Sequence, residues 1–231
     1  MFCIIDYRAP FSVKEKLKKD FIVCEFNASN EVYPAIDGHP DIFMAQIKDK
    51  LIVAPNTPKN VFDFLMSYGI KFEFGYEKIG YSYPYSAKYN ISCGEKILIC
   101  NEKVCDKKIL ELAEKLNLKR INVRQGYCRC NAIHLGNDFF IISDKGIEKQ
   151  LERNNIKYVY INSDDVYLLG VKNGFFPGAC GIFEKSLYVI GPKDKIKSKI
   201  SSVLNELNEK QLNFNILIYE KIIDVGGIFL L

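Results

Sequence analysis

The chain has 231 residues, 48% of them hydrophobic, and a formal net charge of +4. That is enough apolar material for one large core. The charge is mild, and acidic residues interrupt the basic runs at 14–19 and 193–199, so neither run makes the concentrated stripe of a nucleic-acid binder. No apolar run reaches the roughly 18 residues of a membrane span. The beginning of the chain lacks a basic segment followed by an apolar one, so the eight cysteines are expected as thiols in a cytoplasmic protein.

The hydrophobic pattern predicts a strand over 2–6, a helix over 12–19 and a strand over 21–25. Ser12 followed by Glu15 has the form of a capping box for that helix. From Gly38-His39-Pro40-Asp41 the pattern becomes a module: strands over 42–47 and 51–54 joined through Lys48-Asp49-Lys50, a helix over 58–68 stopped by Gly69, and a third strand over 70–74. Thr57-Pro58 offers an N-cap followed by proline at the first helical position. The stretch 75–87, rich in Tyr, Ser and Gly, reads as a loop. The module returns with strands over 89–92 and 96–100, a helix over 102–117 and a strand over 120–123. Ile109, Leu112, Ala113 and Leu116 share one face of that helix.

A third copy has strands over 130–135 and 139–143 around the turn Gly136-Asn137-Asp138, a helix over 145–153 and a strand over 157–161. A fourth has strands over 179–183 and 187–190, a helix over 192–210 and a strand over 214–219. Ile196, Ile200, Val203, Leu204 and Leu207 form the apolar stripe of that helix. A last strand over 224–231 joins the segment 2–25 to complete a fifth copy. Cys3, Cys24 and Cys100 fall within apolar strands and read as packing residues. A repeat of this kind predicts an α/β fold: a five-bladed α/β propeller of ββαβ modules in one domain, 1–231, closed by pairing of its two ends so that no sheet edge is left exposed.

In such a ring, equivalent positions face the same place. The residues that open the first strands are His39-Pro40-Asp41, Asn90-Ile91-Ser92, Cys128-Arg129-Cys130-Asn131, Gly178-Ala179-Cys180-Gly181 and Gly226-Gly227. They are polar and glycine-rich, and polar groups there are costly if buried without partners. Their convergence is the argument for a site.

With these residues in view, the chain resembles the pentein superfamily of guanidino-group-modifying enzymes: arginine and agmatine deiminases, dimethylarginine hydrolases and amidinotransferases. It is most similar to an uncharacterised bacterial branch in which an H-P-D element and a G-F-x-x-G-A-x-G element recur, here His39-Pro40-Asp41 and Gly174-Phe175-Phe176-Pro177-Gly178-Ala179-Cys180-Gly181. The resemblance implies a cysteine nucleophile, a histidine acid/base and carboxylates that hold a guanidinium, chemistry that suits a weakly electrophilic carbon. The chain departs from the enzymes at two places. Leu230 follows Gly226-Gly227 where they have the cysteine, and Cys128-Arg129-Cys130 opens the third module where they have His-x-Asp.

Several readings stay open. One is a thiol hydrolase acting on a C–N bond of a guanidino or amino-acid-like small molecule. Its nucleophile would be Cys130 or Cys128, its acid/base His39, and its binding residues Asp41, Asn131, Asn90 and Gly227. His39 and Asp41, and likewise Cys128 and Cys130, would share a strand face. Cys180, between small residues, is a second candidate nucleophile, and His134 could reach the channel. Arg124 and Arg129 would suit a substrate carboxylate, or a surface ion pair. A second reading is a binding protein without chemistry on the same fold, as the resemblance also covers a ribosome anti-association factor. A third is a metal site of Cys128, Cys130, His39 and Asp41. The fourth is that these residues only hydrogen-bond strand ends. No cofactor motif, P-loop, nucleophile elbow or paired C-x-x-C is present.

Overall fold

The computed structural model describes residues 1–201 and 212–231. The chain begins with β1 (Phe2–Asp6), α1 (Phe11–Leu17) and β2 (Ile22–Phe26). The first full unit is α2 (Pro40–Phe43), β3 (Met44–Ile47), β4 (Lys50–Val53), α3 (Lys59–Ser67) and β5 (Glu73–Phe74). The second is β6 (Ser92–Cys93), β7 (Ile97–Cys100), α4 (Lys107–Lys115) and β8 (Lys119–Asn122). The third is α5 (Cys128–Asn131), β9 (Ala132–His134), β10 (Phe140–Ile142), α6 (Lys145–Arg153) and β11 (Tyr158–Tyr160). After β12 (Val166–Tyr167) come β13 (Cys180–Phe183), β14 (Ser186–Gly191), α7 (Lys193–Lys199) and β15 (Asn213–Ile218), then β16 (Ile222–Ile223) and β17 (Phe229–Leu230).

Each unit makes a three-stranded sheet with one antiparallel and one parallel pair: β3-β4-β5, β6-β7-β8, β9-β10-β11 and β13-β14-β15. The fifth such sheet is β17-β1-β2, built from both ends of the chain. There β17 runs antiparallel to β1 with Cys3 opposite Leu230, and β1 runs parallel to β2. The backbones of Phe2 and Leu231 exchange hydrogen bonds of 2.8 and 2.9 Å. First strands lie side by side: β3 by β6, β6 by β9, β9 by β13 and β13 by β17. The small sheet β12-β16 is a parallel pair that the sequence pattern did not mark.

The helices bury the stripes expected of them. In α4, Ile109, Leu112 and Ala113 are buried, and Asp106 caps the N-terminus by accepting from the Lys108 amide. The helix starts later than 102 because this cap lies at 106. In α1, Ser12 is not the cap: the helix starts at Phe11 behind Pro10, and Glu15 pairs with Lys18. Likewise Pro58 itself caps α3, while the Thr57 hydroxyl donates to the Ala54 carbonyl. Gly69, with φ +64°, follows the end of α3, a backbone conformation glycine adopts without strain. α7 buries Ile196, and the remainder of the helix expected over 192–210, from 202 on, lies outside the described residues. Cys3, Cys24 and Cys100 are buried in β1, β2 and β7.

The strand openings differ most from expectation. Pro40–Phe43 and Cys128–Asn131 are one-turn helices, α2 and α5, rather than the first residues of strands, and His39 is the extended residue just ahead of α2. Phe176–Ala179 is a 3-10 turn in the same place before β13. Proline at the first position of α2 presets the helical φ and holds His39 extended.

Candidate functional site

On a helical turn, residues two apart point to different sides. That separates Cys128 from Cys130, which a strand would have aligned. Cys128 packs into an apolar cluster with Ile99, Ile121 and Phe140, and its thiol donates to the Gln125 carbonyl at 3.1 Å. Cys130 turns the other way and donates to Asp41 Oδ2 at 2.6 Å. Asn90, just ahead of β6, stitches the two turns together. Its Nδ2 donates to the Asp41 carbonyl at 3.2 Å and lies 3.5 Å from Cys130 Sγ, while its Oδ1 accepts from the Arg129 amide at 2.6 Å.

Gly226 and Gly227, with φ of +66° and +72°, bring the start of β17 against this knot. A Cβ on Gly226 would stand 2.4 Å from His39 Cβ and 2.8 Å from Asp41 Oδ1, so only glycine fits. Asp224, two residues earlier, is buried and accepts from the amides of Phe175 at 2.9 Å and Gly226 at 3.0 Å. Behind His39 lies Asp6, whose Oδ2 is 3.7 Å from His39 Nε2 and 2.6 Å from Arg8.

Of these groups, His39, Cys130 and Asp224 face a cavity of about 200 Å³, and Asp41 lies behind the Cys130 thiol, off its lining. His39, Cys130 and Asp224 supply its chemical side, and Tyr33, Tyr127 and Phe175 its aromatic wall, with Leu168 and Val171 at the rim. Tyr127 donates or accepts with Ser86 Oγ at 2.7 Å, which fixes that ring. Both ring nitrogens of His39 and Asp41 Oδ1 are buried without a hydrogen-bond partner among the described residues. Unsatisfied polar atoms at this depth cost on the order of 1–3 kcal/mol each.

Burial dominates the electrostatics. It pushes the Asp41 carboxyl up to about 6, an effect His39 partly offsets and Asp224 reinforces. Asp224 is raised by burial too. The Cys130 thiol is raised well above the ordinary thiol range, by burial first and then by the negative fields of Asp41 and Asp224. A cation in the cavity would relieve all three at once.

The other expected site residues lie apart from the cavity. Asn131 donates to the Tyr127 carbonyl at 2.8 Å. Gly227 faces the Arg129 guanidinium rather than the cavity, its ideal Cβ falling 2.9 Å from Arg129 Nη2. Cys180 is buried and donates to the Phe176 carbonyl at 3.2 Å. His134 accepts from the Asp138 amide at 3.1 Å beside Phe140, toward the opposite end of β9. Arg129 donates to the carbonyls of Pro177 and Cys180, and Arg124 lines a separate surface pocket with Tyr83 and Asp144. Among the described residues no group of three or more His, Cys, Asp and Glu is arranged to hold a metal ion. With Cys128 turned away, the four-ligand set does not form. Leu230 is buried beside Ile5 and Val225, so the last strand brings no reactive side chain at that position. Asp224 is the residue sequence reasoning missed. Its only signal is an acid two residues before the Gly-Gly pair.

Repeated ββαβ sheets of this kind are the mixed α/β fold of the pentein structures. The chain has this fold. It is similar over 94% of its length to agmatine deiminase from C. jejuni, covering 74% of that chain at 12% identity with a TM-score of 0.53. It is similar over 93% of its length to a DDAH from Pseudomonas aeruginosa complexed with citrulline, covering 91% of that chain at 8% identity with a TM-score of 0.52. Against the substrate-bound C. jejuni agmatine deiminase it covers 74% of its own length and 62% of that chain, at 10% identity and a TM-score of 0.47. The sequence matches a family of unknown function (DUF6873) over residues 4–229, and the chain belongs to that family. Comparison with the curated proteins gives no match.

Proposed function

We propose that this protein is a thiol-dependent hydrolase of a small guanidinium compound, with Cys130 as nucleophile and a single domain, 1–231, closed into a ring of five blades. The observation that carries the reading is the Cys130–Asp41 hydrogen bond of 2.6 Å at the wall of a cavity that also holds His39 and Asp224. A guanidinium against Asp224, the carboxylate that lines the cavity, would pair with it and offset the field that keeps the Cys130 thiol protonated. The Cys130 proton then passes to Asp41, and the sulfur attacks the guanidinium carbon. His39 gives a proton to the departing amine as the C–N bond breaks. Water gives one proton to His39 and attacks the carbon of the S-linked amidine; the C–S bond breaks, a urea leaves after losing its hydroxyl proton to solvent, and the proton held by Asp41 returns to the Cys130 sulfur. This differs from the sequence expectation in one role: Asp41, expected as the substrate anchor, is the partner of the thiol, and Asp224 is the anchor.

The ring rests on the lateral order of the first strands and on the pairing of β1 with β17. A cytoplasmic location fits eight unpaired cysteines, several of them buried beside one another. A second reading, a cation-binding protein without turnover, is favoured by the strongly raised thiol and by Leu230. Ammonia release and urea-type product, measured across methylguanidine, longer alkylguanidines and arginine, separate the two. Turnover of at least one compound that wild-type protein also binds is expected. Saturable binding with no product supports the second reading, and neither binding nor product removes both.

A further inference from the structure

A second cavity, of about 290 Å³, lies at the opposite end of the first strands, toward the hairpin turns. The first strand of every one of the five sheets contributes to it: Gln46 from β3, Ser92 from β6, Ile133 from β9, Ile182 from β13 and Phe229 from β17. It stands apart from the cavity of Cys130, and no residue lines both.

Its apolar wall is Ile91, Ile133, Ile182 and Ile228 around the Phe229 ring, and Gln46, Ser92, Cys93 and His134 add polar groups to the lining. Its one guanidinium is Arg129. The guanidinium lies 5.9 Å from the Phe229 ring centroid and donates to the carbonyls of Pro177 at 3.2 Å and Cys180 at 3.1 Å. Those two bonds use two of its five N–H groups. Among the described residues no carboxylate lies within ion-pair distance of it. The half-buried guanidinium also sits in the field of the buried Asp41 and Asp224 carboxylates, and an anion on the cavity side would use its remaining N–H groups. At the mouth stands Lys48, whose ammonium donates to the Glu95 carbonyl. The one acid of the rim, Glu95, is engaged by the Asn137 amide at 2.8 Å.

We infer that this second cavity binds a small organic monocarboxylate, its carboxylate on the Arg129 fork and its hydrocarbon body against the isoleucines and Phe229. Planar, two-oxygen geometry matches the guanidinium. The apolar walls favour a carbon chain or ring over a fully hydrated anion such as phosphate. This inference does not depend on chemistry at Cys130.

Isothermal titration of the wild-type chain with benzoate and butanoate, against benzamide, butanamide and inorganic phosphate, tests it. Saturable carboxylate binding is expected, with the amides weaker by roughly tenfold or more through loss of the charge-assisted bonds, and phosphate weaker than both carboxylates. Ile182→Trp, which fills the cavity and leaves the Arg129 side chain unsubstituted, should abolish the binding; Ile228→Phe serves the same purpose if Ile182→Trp does not fold. Amides binding as well as acids, phosphate binding as well as benzoate, no saturable carboxylate binding, or full binding in a folded filled-cavity variant would each overturn the inference.

Discussion

Cys130→Ala is expected to lower guanidine turnover by about 10³-fold or more while leaving guanidinium binding within a few-fold of wild type. The sulfur is the only atom of the site asked to form a bond to the substrate carbon. Asp224 and the aromatic wall, which line the cavity, stay in place. The substitution deletes one atom from a wall of the cavity and leaves Asp41 Oδ2 facing that space, so folding should survive. Cys128→Ala and Cys180→Ala are the controls, since both thiols are turned into the interior and bonded to backbone carbonyls. Either of these abolishing turnover while Cys130→Ala retains it would move the nucleophile elsewhere.

Asp41→Asn is expected to make the protein more stable at pH 7 and inactive. Burial raises the native Asp41 carboxyl to about 6 from the ordinary aspartate value of 3.8. Between those two values the native state keeps a proton that the unfolded chain has lost, so wild-type stability falls as pH rises through the window. The stabilisation is fully present below the lower value and gone above the upper one. A difference of this size corresponds to about 3 kcal/mol at pH 7. The amide cannot ionise, so the variant should be free of this fall between about pH 4 and 6, apart from the share contributed by Asp224, whose carboxyl is raised in the same direction. Urea denaturation of both proteins at a series of pH values measures the difference. A variant that tracks wild type across the whole range would show that Asp41 is not the group paying the burial cost. Such a gain in stability with loss of function is what a preorganised, electrostatically strained site predicts.

The repeat was legible in the sequence because helices and strands of each unit carry their own hydrophobic periods, as Ile109, Leu112 and Ala113 show in α4. The pairing of the two ends was legible because 2–25 lacks the strand that 224–231 supplies. The turns at His39 and Cys128 were not. Four residues are too few to carry a helical period, and proline at position 40 is compatible with strand entry as well as with a first helical turn. That local difference decided which cysteine faces the site. Asp224 was hidden for another reason. Its partners, Phe175 and Gly178, lie far away in sequence, and a carboxylate among glycines there reads as a turn residue. The two-residue strands β12 and β16 gave no pattern at all.

The claim that Cys130 and His39 face one cation cavity, with Asp41 behind the thiol, is tested most directly by residue-resolved alkylation. The protein is treated with iodoacetamide at mildly alkaline pH, with and without saturating methylguanidine, and each cysteine peptide is quantified by mass spectrometry. Cys130 should be modified well before Cys128 and Cys180, because it alone of the three lines the cavity, and methylguanidine should slow it selectively. Equal labelling of the three thiols, or a Cys130 rate indifferent to the guanidine, would contradict the account.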